Sequence, residues 1–228
     1  MCGRYVSQVN AAIEAEFRVI RSWTRELHSW NLAPTQQVPA VVQHQGRRVG
    51  TFLRWGLVPA FAQGVPGAYA THNARIETVR TAPAFRGAWQ RGQRCLVIAQ
   101  GFYEWQVVEA GKQPWYIGCA DQPTFAFAGL WDQSRSAAGE PLLSCTVLTL
   151  PASPLMARIH NTKQREPAIL RREDHETWLT GTPDAAWACL RSYPDELRTA
   201  WPVSQRVNVA ANDEARLIDP LAAGGQSN

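Results

Sequence analysis

The sequence predicts an α+β fold, with mixed, mostly antiparallel sheets forming a partly closed, barrel-like core and helices at its flanks. Three observations carry this. Apolar runs at 95–99, 102–108, 114–118, 124–130 and 142–149 succeed one another with Gly, Pro or polar residues between them, as strands joined by short turns do. Helical spacing of apolar residues occurs before and after that run. Strands and helices do not alternate strictly, which argues against a doubly wound parallel sheet. With 228 residues, 45% of them apolar and 18% charged, the chain can bury one sizeable core. A single domain over 2–220 is expected, with a disordered tail at 221–228.

The elements follow in order. Residues 10–20 place Ile13, Phe17 and Ile20 on one helical face, with Asn10 as the N-cap. Residues 38–43 and 49–55 read as a hairpin around the polar stretch Gln45-Gly46-Arg47-Arg48. A short helix is predicted over 82–89, and the run of strands comes next. Residues 158–162 should form a helix end or loop. Helices near 172–180 and 183–191 and a late strand near 202–209 complete the chain.

No apolar run approaches the roughly 18 residues of a membrane span. The chain meets polar residues within a few positions of its start, so no hydrophobic leader is expected. Cys2, Cys95, Cys119, Cys145 and Cys189 are odd in number, scattered and free of Cys-x-x-Cys spacing. That pattern points to reduced thiols in a cytoplasmic protein and against a structural metal. The five histidines show no ligand spacing either, so neither metal nor organic cofactor is expected. Among 23 basic residues only Lys112 and Lys163 are lysines. An arginine excess suits phosphate and base contacts in nucleic acid, and a GC-rich genome produces the same bias.

Cys2 is the residue whose position is chemically distinctive. A small second residue permits removal of Met1, which would leave an α-amine and a thiol on adjacent carbons. Such a 1,2-aminothiol can form an imine with an aldehyde and then close on it as a thiazolidine. The α-amine titrates near ~7.7–8.0, so part of it is nucleophilic at neutral pH. A thiol pKa of ~8.5 falls beside cations, and Arg4 is two residues away. Alternatively, Cys2 is simply a small second residue.

Three interior segments carry chemistry-bearing side chains. In His72-Asn73-Ala74-Arg75-Ile76-Glu77, Asn73 can bond a carbonyl or hydroxyl while Arg75 takes a phosphate, or Asn73 is a turn residue. In Gly101-Phe102-Tyr103-Glu104-Trp105, a strand puts Phe102, Glu104 and Gln106 on one face and Tyr103 and Trp105 on the other. A carboxylate among aromatics has a raised pKa, suited to acid/base work; the alternative is an edge carboxylate paired with arginine. In Ile159-His160-Asn161-Thr162-Lys163-Gln164-Arg165-Glu166-Pro167, His160 stands at a junction where it can shuttle protons, or it is a structural histidine.

Taken in order, Met-Cys-Gly-Arg-Tyr, Trp30-Asn31-Leu32-Ala33-Pro34, Asn73-Ala74-Arg75-Ile76-Glu77, Gly101-Phe102-Tyr103-Glu104-Trp105 and Ile159-His160 resemble the SOS-response-associated peptidase (SRAP) family. Bacterial and human members of that family shield abasic sites in DNA. Trp55-Gly56-Leu57-Val58-Pro59, Lys112-Gln113-Pro114-Trp115-Tyr116, Trp201-Pro202-Val203-Ser204 and Val207-Asn208 extend the likeness to roughly residues 2–220.

The resemblance implies that Cys2 forms a thiazolidine at C1′ of an abasic sugar, with Asn73 holding the N-terminus and sugar. Glu104 would serve as acid/base in imine formation and in release of Met1. His160 would protonate the ring oxygen to open the sugar. Arg4, Arg75 and Trp105 would hold phosphates and stack a base of a single strand, either within it or at a junction with duplex. Two departures stand out. The family has His-x-Arg-x-Pro, whereas Pro167 lies seven residues after His160; a three-residue insertion keeps Arg165 two before the proline and leaves open whether Arg165, Lys163 or neither meets the phosphate. The stretch after Pro59 is less aromatic than in relatives, and Phe61 would serve there as the wedge against DNA. A monomer is expected. The competing readings are a peptidase that uses Cys2 on its own Met1 or on other proteins, and a noncovalent single-strand binding module.

Overall fold

The computed structural model describes residues 2–67, 70–136 and 138–221. Its strands are β1 (Arg4–Val9), β2 (Leu27–Leu32), β3 (Gln37–His44), β4 (Arg47–Trp55), β5 (Asn73–Arg75), β6 (Arg94–Ala99), β7 (Gly101–Val108), β8 (Gly111–Cys119), β9 (Phe125–Arg135), β10 (Pro141–Pro151), β11 (Arg165–Pro167), β12 (Ile169–Leu170) and β13 (Arg198–Pro202). The helices are α1 (Ala11–Glu16), α2 (Ile76–Val79), α3 (Pro83–Gln90), α4 (Pro154–Ile159), α5 (His175–Thr180) and α6 (Pro183–Ala188).

The larger sheet closes on itself. β4 pairs with β3, β3 with β6, β6 with β9 and β9 with β10, and β10 returns to β4 as a parallel neighbour. β5, β11 and β12 attach to this five-strand ring. Strand alternation divides its residues between two cores. Cys95, Val97 and Ala99 of β6 face the barrel interior with Val38, Ala40, Trp55, Phe125, Phe127 and Val147. Leu96 and Ile98 face outward, beneath Ile13, Trp89, Trp178 and other residues of the helices. Because both faces are covered, β6 reads as a continuous apolar run rather than an alternating one.

A second, open sheet has the order β13-β8-β7-β1-β2. The chain passes from barrel to second sheet at Gln100-Gly101, between β6 and β7. Here the Tyr116 ring packs so closely that a Cβ on Gly101 would lie 2.2 Å from it, and the Tyr116 hydroxyl donates to the Gln100 carbonyl at 3.1 Å. Only glycine fits that corner. The β3–β4 hairpin turns through Gln45-Gly46 alone, both at positive φ (49° and 74°), the geometry a two-residue hairpin loop demands.

Three sequence expectations need correction. Asn10 does cap α1, accepting from the Ile13 N–H at 3.1 Å, a contact worth about 1 kcal/mol. The helix nevertheless ends at Glu16, because Arg18 turns left-handed (φ 54°) and the chain joins β4 through Ile20 N–H to the Arg48 carbonyl, leaving the Ile20 side chain exposed. The late strand lies at Arg198–Pro202, not 202–209. Beyond it the Asn31 amide collects the carbonyls of Val207, Val209 and Asn212, folding that segment into a turn against β2. β1 and β2 were not foreseen, since their polar residues (Ser7, Ser29, Asn31) are buried by hydrogen bonding rather than by apolar character. The expected disordered tail falls almost wholly at 222–228, outside the described residues.

Candidate functional site

The site forms where the second sheet meets the mouth of the barrel. Cys2 is fully buried in the barrel-side core with Tyr5, Trp55 and Phe102. Pairing of Arg4 with Tyr103 lays β1 along β7, so Cys2 comes beside the strand that carries Glu104. Asn73 arrives on β5, which runs parallel to β10 with Asn73 opposite Val147. Its Nδ2 donates to the Cys2 carbonyl at 2.7 Å, which fixes the amide orientation. Asn73 Oδ1 is then buried without a hydrogen-bond partner among the described residues. A buried acceptor left without a donor is costly.

Glu104 sits in the middle of its sheet, opposite Trp115 on β8, with its side chain 3% exposed. The edge-strand alternative is thereby removed. Burial pushes its carboxyl up to about 7, against the Trp105 backbone N–H and the Lys163 charge, which favour the ionised form. His160 is the C-cap of α4, at the helix end expected over 158–162. Its Nδ1 lies 2.8 Å from the Arg165 carbonyl and 3.8 Å from Glu104 Oε1. The carbonyl selects the Nδ1–H tautomer, and burial lowers the ring's pKa, keeping it neutral at pH 7. Asn161 secures this loop: its Oδ1 accepts from the Val107 N–H (3.0 Å) and its Nδ2 donates to the Val107 carbonyl (2.8 Å). Gln106 Nε2 adds a bond to the Arg158 carbonyl at 3.1 Å.

The Cys2 thiol departs from the sequence expectation. Arg4 does not lower its pKa; burial, and then the Glu104 carboxylate, push it well up, and the thiol donates to the Arg4 carbonyl at 3.7 Å. The Arg4 guanidinium turns away to Asn31 Oδ1 (3.1 Å) and to the carbonyls of Val207 (2.8 Å) and Asn208 (3.3 Å).

A cleft of about 400 Å³ opens over Glu104 and His160, walled by Trp105, Val107, Lys112, Thr162, Lys163 and Asn208. The Trp105 indole donates to Asn208 Oδ1 at 2.7 Å. Arg75 is exposed, and Phe61 stands 69% exposed on a 3-10 turn whose backbone is tied to Asp132 through Ala60 N–H. Arg165 is instead turned inward. It meets Glu77 at 2.5 and 3.0 Å and the Thr149 carbonyl at 2.6 Å, while Lys163 faces the cleft. Sequence reasoning assigned no task to Asn31, Asn161 or Lys112. The first two lie within or beside the motifs, and the third was visible as one of only two lysines.

The family model described as SOS response associated peptidase (SRAP) matches residues 1–210. The abasic site processing protein YoqW of Bacillus subtilis (strain 168) is 34% identical over 228 residues, covering 96% of this chain and 99% of its own. The abasic site processing protein HMCES of Gallus gallus is 29% identical over 268 residues, covering 98% and 79%. A crystal structure of a protein from Bordetella bronchiseptica superposes with a TM-score of 0.79 at 26% identity, over 89% of this chain and 100% of that one. A second, from Bacteroides thetaiotaomicron, shares the fold with a TM-score of 0.82 at 24% identity, over 96% and 100%. With the family model matched over residues 1–210 and a relative 34% identical along nearly the whole of both chains, the chain belongs to the SOS-response-associated peptidase family.

Proposed function

We propose that this protein captures abasic sites in single-stranded DNA as a covalent thiazolidine formed by Cys2 once Met1 has been removed. The observation that carries the reading is the joint placement of Cys2, Asn73, Glu104 and His160. The residue able to act as an aminothiol is gripped by Asn73 beside a carboxyl poised near neutrality.

The open sugar offers an aldehyde at C1′. Attack by the Cys2 amine gives a carbinolamine, and Glu104 in its acid form protonates the departing hydroxyl, which leaves as water. The sulfur then bonds to the iminium carbon, the C=N electron pair returns to nitrogen, and the thiol proton goes to the Glu104 carboxylate. Amine, thiol and aldehyde have become thiazolidine plus one water, and Glu104 is restored. A pKa of about 7 lets one carboxyl both give and take the proton. Keeping the thiol buried and protonated until the iminium exists protects it from oxidation and from other electrophiles. Asn73 Oδ1 can accept from the Cys2 amine or a sugar hydroxyl. His160, neutral at rest, would first take a proton from solvent at Nε2 and pass it from the imidazolium to the ring oxygen, and Glu104 would assist hydrolysis of the Met1–Cys2 bond.

The test is intact-protein mass spectrometry with a single-stranded oligonucleotide bearing one abasic site. A denaturation-resistant adduct of protein lacking Met1 plus oligonucleotide minus one water, mapping to Cys2, is expected. A protein that has lost Met1 and binds the strand without forming that adduct would overturn the reading.

A further inference from the structure

The two lysines of the chain lie on the same cleft. Lys112 and Lys163 both line the space above Glu104 and His160, although 51 residues of sequence separate them. Val107 joins them: Lys112 faces it across the β7–β8 ladder, and Asn161, two residues before Lys163, grips its N–H and carbonyl. Both lysines are exposed, and among the described residues neither ammonium is ion-paired. Several arginines behave differently. Arg48, Arg91, Arg165, Arg172, Arg198 and Arg206 are committed to carboxylates.

We propose that Lys112 and Lys163 form a two-point phosphate clamp, each holding a phosphate of the DNA strand laid across the cleft. This rests on the crosslinking reading for the identity of the strand, but its chemistry is separate. The cleft floor carries Glu104, so an anionic strand entering it meets repulsion unless cations stand at the rim. Lysine suits that rim: a hydrated point charge on a flexible stem follows a strand whose sugar must shift as it is captured, where a bidentate arginine would fix one geometry. Trp105 and Asn208, on the same cleft, leave the bases and sugars an uncharged wall.

The clamp is tested with an undamaged single-stranded oligonucleotide, so that no covalent step intervenes, by fluorescence anisotropy across a salt series. Each phosphate contact on a single strand contributes about 0.7 to the slope of log affinity against log salt. Lys112→Gln and Lys163→Gln should each flatten the slope by about that amount, and the double variant by about twice as much. Lys→Arg variants should restore the slope, and Arg47→Gln, on the β3–β4 hairpin, should leave it unchanged. Unaltered slopes in both lysine variants would overturn the clamp, as would equal flattening by Arg47→Gln. So would borohydride trapping of an abasic oligonucleotide on either lysine, which would assign them imine chemistry. If the slopes behave as expected while the wild type makes no Cys2 adduct, the clamp stands and the crosslinking reading fails.

Discussion

On one side of Glu104 the chain buries Cys2 completely among Tyr5, Trp55 and Phe102; on the other it exposes Lys112, Thr162 and Lys163 around an open cleft. The buried wall raises pKa values: the Cys2 thiol and the Glu104 carboxyl are both held toward their neutral forms. The open wall carries positive charge that water and salt screen. On the proposed reading, the difference teaches how one small site would hold a nucleophile in reserve yet attract a polyanion. Desolvation would govern the reacting groups, and long-range charge would govern arrival. Substitutions on the two sides should therefore separate into chemical and electrostatic phenotypes.

The largest expected effect lies on the buried side. Cys2→Ala should abolish the denaturation-resistant adduct while leaving affinity for undamaged single strands, and its salt slope, as in the wild type. A stable adduct surviving in that variant, read by denaturing gel, would place the nucleophile elsewhere and break the comparison at its centre.

Glu104→Gln comes next and has two readouts. Loss of an acid/base should slow crosslinking by about 10²–10⁴-fold. Stability should move the other way. An ordinary glutamate titrates near ~4.3, and Glu104 near 7 in the fold, so the native state binds the extra proton between those values. Wild-type stability should fall as pH rises through that window, and the cost is fully present above pH 7. Glutamine removes it, so the variant should gain a few kcal/mol, of order ~3, at pH 8 and nothing at pH 4. Urea melts at the two pH values decide this, and an equal effect at both would show that Glu104 is ionised at no unusual cost.

Arg165 and Lys163 sharpen the comparison from two residues apart. Arg165→Gln should cost about 1–3 kcal/mol, discounted because Glu77 is 47% exposed, and should not alter the salt slope. Thermal melts and anisotropy together would show it; a flattened slope with unchanged stability would return Arg165 to the DNA surface.

These effects also mark what the sequence could reveal. The strand run from 94 to 151 was legible because both faces of β6, β9 and β10 are covered, so burial is written as unbroken apolar runs. β1 and β2 were not legible, because their buried positions include Ser7 and Asn31, whose partners lie far away in the chain, and Ser29, which accepts from the Asn31 N–H. Cys2, Asn73, Glu104 and His160 were named from residue type, local pattern and resemblance, but the direction of the Cys2 shift was misread. Sequence proximity to Arg4 says nothing of side-chain direction, and the guanidinium turns toward Asn31 and Val207. The same holds for Arg165 and Lys163: which of two nearby cations faces the cleft is decided by Glu77 and Thr149, 88 and 16 residues away.

The smallest expected effect tests the seam between the two walls. Asn161 makes two hydrogen bonds to Val107 and so holds the turn that presents His160 to Glu104. These bonds are exposed, so Asn161→Ala should cost only about 1 kcal/mol of stability. If the turn merely needs to exist, crosslinking will track stability and its pH profile will keep its shape. If Asn161 positions the imidazole, the rate should fall about tenfold, since small displacements of a proton donor are expensive. The acid limb of the profile should then flatten, because the step assigned to the His160 imidazolium no longer keeps pace. Asn161→Asp keeps the acceptor for the Val107 N–H but loses the donor to its carbonyl, and should fall between wild type and alanine. An alanine variant with unchanged rate and profile would leave Asn161 a tether that does not position His160.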